Sequence, residues 1–297
     1  PAPNLPFPWV SWLIYALGVI WFLIVMLVTG SAVAKVTYEQ LRGNEFFEAG
    51  EAFRFALQNL GAILGSPLLI IAFILILVIA GLILSALGSI PYIGPVIVGI
   101  FAIPAFFASL FIVYLLIVLI WTLFLGPAIV GALGNDTFDT LFEVFSCINE
   151  QPARLFWFTA VIAFLSKLGS LLLGLASSLA VRIGTLILSA FMGETLSEML
   201  NGTGFIFQIS VPQWGVFAPL HKMVVWETAL YGLNSYLSPL FWESPGWGIY
   251  LGALLFSICI YGIALMVLAY GISVWFSGNV LLLGFLIKKK DDKNIYE

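Results

Sequence analysis

Few residues in this chain are equipped for chemistry. It has one histidine, His221, and two cysteines, Cys147 and Cys259. Metal and haem centres draw several imidazole, thiolate or carboxylate ligands together at short spacing. Neither HExxH nor CxxC is present, so no metal-ligand spacing exists and a disulfide framework is not expected. His221 reads as an interfacial residue, not a catalyst. There is no glycine-rich phosphate loop followed by lysine and no G-x-S-x-G elbow. The expectation is a non-enzymatic protein that needs no cofactor and no metal.

Two polar features remain. Asp136, Asp139, Glu143 and Glu150 form the densest acidic cluster, within Gly126–Pro152. It reads either as a cation site or as ordinary helix-start chemistry, with Asp136 and Asp139 in a first turn where the helix dipole favours anions. Lys167 lies about 12 residues into a long apolar run, where a charge at mid-membrane costs at least ~2.5–3.5 kcal/mol. Such a lysine is a candidate intramembrane polar site; the alternative is that it snorkels or pairs with an acid from a partner. Asn201-Gly202-Thr203 fits a glycosylation sequon, a triplet common by chance.

These groups must be positioned by apolar elements. The 297 residues are 62% hydrophobic and 9% charged, with mean hydropathy +1.12. Soluble domains carry about 25% charged residues, so the chain could not cover a water-facing surface. Its apolar runs reach the about 20 helical residues that cross a hydrocarbon core, and they are apolar on all faces, unlike barrel strands. The expected fold is all-α: a polytopic helical membrane protein, one integral membrane domain of about five spans near residues 9–29, 68–87, 100–125, 155–175 and 255–287. Net charge −4 is small and dispersed, which argues against a nucleic-acid partner.

Between the spans the sequence places two amphipathic elbows, 31–62 and 126–152. They share a motif, Gly43-Asn44-Glu45-Phe46-Phe47-Glu48 and Gly134-Asn135-Asp136-Thr137-Phe138-Asp139. In the first, Gly43 should end a helix and Asn44 cap the next. In the second, Gly126-Pro127 should stop a helix, Asn135 or Asp136 cap a short one burying Phe138, Leu141, Phe142 and Phe145, and Pro152 restart the chain. Gly65-Ser66-Pro67 should open the second span, Gly88–Pro95 should be a hairpin turn, and Pro104 should kink or break the third run.

The fourth run stays apolar from near Arg154 to about Phe191, roughly 57 Å if helical, so its crossing is placed at 155–175. Residues 178–246 become an outer cap with an amphipathic helix from His221 to Leu237. The first eight residues are a proline-rich lead-in, with no initiator Met and no basic region of a signal peptide. Taking five spans with the C-terminus inside puts Lys35, Arg42, Arg54, Arg154, Lys288, Lys289, Lys290 and Lys293 on the cytoplasmic side, of eleven basic residues in all. The expected location is the cytoplasmic (inner) membrane of a bacterium, multi-pass, with both elbows and the C-terminus cytoplasmic.

The second elbow, with Gly126-Pro127, Asp136-Thr137-Phe138-Asp139-Thr140-Leu141 and Gln151-Pro152, resembles the signature of a group of uncharacterised multi-span membrane proteins common in planctomycete-type bacteria. Gly30–Lys35 with Glu51–Phe55, and the last span with its basic-acidic tail, are similar to other parts of that family. One departure is a basic residue usual near Ser146, absent here between Gly126 and Gln151. The resemblance implies topology and no activity. Two functions follow as expectations: a scaffold or accessory subunit with the bilayer and partner subunits or further copies around it, or a transporter or channel for a small solute or lipid that uses Lys167.

Overall fold

The computed structural model describes residues 8–210, 246–291 and 295–296. Among them every element is helical: α1 Pro8–Leu41, α2 Ala49–Gln58, α3 Leu60–Gly88, α4 Gly94–Leu133, α5 Thr137–Glu150, α6 Pro152–Met192, α7 Glu194–Ser210 and α8 Trp247–Asp291. Five of them, α1, α3, α4, α6 and α8, are long and apolar enough to cross a membrane. The all-α polytopic architecture expected from the sequence is therefore present. The proline-rich lead-in before Pro8, His221 and its amphipathic helix, and Lys293 lie outside the described residues.

Helix boundaries correct several expectations. Pro104 does not break α4, and Gly126-Pro127 does not end it; the helix runs through both to Leu133. A proline removes one backbone bond and bends the axis, and in a 40-residue helix the remaining bonds hold the axis together. The stop is supplied by Gly134 at φ 68°, whose N–H bonds to the Val130 carbonyl. Likewise α3 starts at Leu60 and carries Pro67 inside it, because Asn59 closes α2 and opens α3 with no intervening loop. The turn expected over Gly88–Pro95 is present and narrower, at residues 89–93, with Tyr92 held at φ 67°. Gly94 meets the Gly88 carbonyl there so closely that no side chain would fit.

Packing divides the chain into two compact units, residues 1–159 with 276–297, and residues 160–275. The first unit is built on small residues. Leu27, Val28 and Ala32 of α1 pack with Ala52 and Ala56 of α2, Ala62 and Ile63 of α3, and Val130 of α4. A Cβ at Gly131 of α4 would lie 2.6 Å from the Ser31 carbonyl oxygen of α1, so backbone meets backbone at that crossing. The last turns of α8 complete the core with Phe276, Val280, Leu283 and Leu286, all buried. Phe276 lies on Gly30, Thr37 and Ser277 share a hydrogen bond of 2.9 Å, and Asn279 Nδ2 donates to the Phe124 carbonyl at 3.4 Å.

The second unit is held by polar stitches. Ser166 Oγ on α6 donates to the Gly271 carbonyl of α8 at 2.7 Å, and Thr203 of α7 donates to Ala253 of α8 at 3.3 Å. In an apolar medium such bonds and close small-residue contacts hold helices together, since lipid offers no hydrophobic drive for helix association.

Candidate functional site

The two elbows share a motif, and its glycine has a geometric cause. Both motif glycines take the left-handed conformation that ends a helix, Gly43 at φ 88° and Gly134 at φ 68°. After α1, Gly43 N–H bonds to Gln40 and Asn44 N–H to Glu39, each at 3.0 Å, a Schellman ending. Asn44 is thus spent on closing α1; the N-cap of α2 is Glu48, with no side-chain cap bond. The second copy is better formed: Asp136 is the N-cap of α5 and its Oδ1 accepts from Asp139 N–H at 2.9 Å. Asp136→Ala should cost about 1 kcal/mol, seen as faster hydrogen exchange at the first turn of α5 with α3 and α4 unaffected.

α5 then turns back along α4. Thr140 lies beside Gly126, and further on Asn149 Oδ1 accepts from the Tyr114 hydroxyl at 3.0 Å, so the two helices run antiparallel. Thr137 fastens the start of α5 to α3. Its Oγ1 donates to the Gly61 carbonyl at 3.0 Å, Ser66 Oγ donates to the Thr137 carbonyl at 3.2 Å, and Gly65 leaves room for it. The buried face of α5 is Thr140, Leu141, Val144 and Cys147. Of the expected face only Leu141 is fully buried: Phe138 and Phe142 point outward, and Phe145 is half-buried against Tyr114. The small side chains are the ones that fit against α3 and α4.

The acidic cluster is largely accounted for. Asp139 belongs to the first turn of α5, while Glu143 and Glu150 each stand 3.9 Å from Lys290 Nζ at the end of α8. Lys290 also donates to Ser146 Oγ at 2.6 Å, and Ser146 Oγ donates to Glu150 Oε1 at 2.9 Å. The elbow's own sequence has no basic residue between Gly126 and Gln151, and the charge facing its acids comes from Lys290 of α8. Sequence spacing could not show this, because 144 positions separate the two partners. Among the described residues no group of three His, Cys, Asp or Glu is arranged to hold a metal ion. Behind the cluster, burial first and then the carboxylates of Glu143 and Glu150 push the Cys147 thiol up to about 12, against the pull of Lys290. Cys147 is therefore inert at neutral pH, since the thiolate is the reactive form.

Of the remaining expected residues, Gly126 and Pro127 are buried within α4 ahead of the elbow, and Pro152 opens α6 as expected. Lys167 is half-buried in the second unit and engaged within the chain. Sequence reasoning missed Ser166, Ser170, Gly174 and Ser178, which recur every fourth residue and are all buried on one line of α6. Small residues at that interval are the signal that would have found them. It also missed Asn279, wholly buried in α8 with its Oδ1 unpartnered, and Ser31, equally buried with Oγ unpartnered. No family model, curated protein or solved structure matches the chain.

Proposed function

We propose that this protein is a non-enzymatic scaffold or accessory subunit of a larger membrane assembly, resident in a bacterial cytoplasmic membrane with its elbows and C-terminus inside. The observation that carries the reading is the use of its buried polar groups. Thr122, Ser170 and Ser257 bond back to their own helices, and Ser166, Thr203 and Asn279 join one helix to another. Among the described residues, polar side chains that serve as joints leave few to line a path for a solute. The spans meanwhile present broad apolar faces, such as Leu68 and Leu82 on α3 or Ile100 and Phe107 on α4, to lipid or to partner helices. The resemblance to planctomycete-type membrane proteins fits this topology and adds no activity.

Purification in mild detergent tests the reading. Stoichiometric co-purifying subunits are the expected result; a lone monomer or homo-oligomer that exchanges solute in liposomes overturns it. A transporter remains the second reading because Lys167 is a half-buried cation inside a membrane-length helix. Lys167→Met decides there: a scaffold keeps its assembly, whereas a transporter that uses the charge loses flux while remaining folded.

A further inference from the structure

The start of α6 meets the end of α8 at two points. Gln151, the residue before α6, donates from Nε2 to the Leu286 carbonyl at 3.3 Å, and the Phe158 and Phe285 ring centres lie 4.8 Å apart. Each helix changes character at this level. On α6, Arg154 is exposed one turn before Phe158, and the next exposed side chains are Phe156 and Trp157. On α8, Leu281 and Phe285 are exposed, and Lys288 and Lys289 continue the same face. Two helices thus pass from apolar to cationic surface side by side, as spans do where acyl chains give way to headgroups.

The charges on this step are not spent within the protein. Lys290 stands against Glu143 and Glu150 of α5. Arg154 donates to the neutral Gln151 amide oxygen at 3.1 Å, and among the described residues Arg154, Lys288 and Lys289 enter no ion pair. Residues 288–293 carry four lysines against two aspartates, and Asp291 closes α8 beyond Lys288 and Lys289, farther from the apolar step. Guanidinium and ammonium groups are natural ligands of phosphate, Arg as a two-pronged fork and Lys as a point charge.

We propose that Arg154, Lys288 and Lys289 hold the headgroup phosphate of an anionic phospholipid, whose acyl chains lie along Phe156, Trp157 and Phe285. Charge complementarity selects the class of ligand. The exposed aromatic surface directly beside the cations selects a lipid over a soluble anion, since only a lipid covers both at once. Basic clusters next to a span attract anionic headgroups in this way. The contact rests on α6 and α8 being spans, and not on the choice between scaffold and transporter.

The test uses the full chain reconstituted in vesicles of phosphatidylcholine and phosphatidylglycerol. One lipid at a time carries dibrominated acyl chains, which quench nearby tryptophan, and Trp157→Phe isolates the Trp157 signal by difference. Phosphatidylglycerol should occupy the site beside Trp157 about fivefold or more in preference to phosphatidylcholine at equal mole fraction. Replacing Arg154, Lys288 and Lys289 together by Gln should bring the two lipids level, whereas Arg54→Gln, at an exposed cation of the first elbow, should not. In the parent, raising salt from about 0.05 to 1 M should weaken the preference, and this arm requires no variant to fold. Equal quenching by the two lipids, quenching by neither, or a preference indifferent to salt would each overturn the contact. So would a preference that survives the triple substitution or is lost equally in Arg54→Gln. Loss of the preference to millimolar inorganic phosphate would also overturn it, by revealing a site for a soluble anion.

Discussion

Phe276→Ala is expected to destabilise the first unit by about 3 kcal/mol, the low end for emptying an aromatic site, because lipid takes the place of water as the reference and mainly packing is lost. Phe276 is 1% exposed and its ring fills the space over Gly30. A Cβ at Gly30 would stand 2.5 Å from Cζ of that ring, so Gly30→Ala alone should cost about 1–3 kcal/mol by overpacking. The two changes are opposite in volume and share one space. Combined, they should cost clearly less than their sum, with a coupling of about 0.5–3 kcal/mol. Thermal unfolding in detergent, followed by tryptophan fluorescence, should place Phe276→Ala about 6–12 °C below the parent, with the double variant recovering part of the Gly30→Ala loss. Strict additivity would mean that α1 and α8 do not meet there.

The pair shows what the sequence could and could not disclose. That α1 and α8 are spans was legible, because composition and run length decide it. That Gly30 and Phe276 touch was not, since nothing local links positions at opposite ends of a chain. Nor does the sequence explain why Gly30, Ser31, Ala32 and Ala34 are small, although it does predict a helix that continues until Gly43. Those residues are small because α1 is crossed there by α4 and α8, and α1 continues to Leu41. Pro67 and Gly126-Pro127 do not stop their helices, and Pro104 does not break α4, for a related reason: proline is a reliable stop only where little else holds the helix, and an apolar helix in lipid has no better conformation to adopt. Gly43, Gly134 and Asp136 were readable because a left-handed ending and an N-cap are local requirements. The acidic cluster was visible too, but its counter-charge on Lys290 was a matter of tertiary structure.

Gly131→Ala should cost about 2–3 kcal/mol, and Gly131→Leu should prevent accumulation of folded protein. The added Cβ would stand 2.6 Å from the Ser31 carbonyl oxygen, 2.7 Å from Ala34 Cβ and 3.0 Å from the Lys35 backbone nitrogen. Two of these are main-chain atoms, which cannot swing aside as a side chain can, so α1 itself must move away. Displacing it disturbs what Lys35 does next to the contact: its 2.8 Å ion pair with Glu39 and its place 4.9 Å from the centre of the Phe55 ring, the tie between α1 and α2. Gly134 is the fitting comparison, three residues later. Its φ of 68° disfavours any side chain, yet nothing lies within 4 Å of an added Cβ. Gly134→Ala should therefore carry only the conformational cost of about 1–2 kcal/mol. Melting temperatures should fall in the order parent, Gly134→Ala, Gly131→Ala. The reverse order would show that the backbone strain of the elbow outweighs the close approach of α1 and α4, and that the first unit is held by its turns and not by its seam.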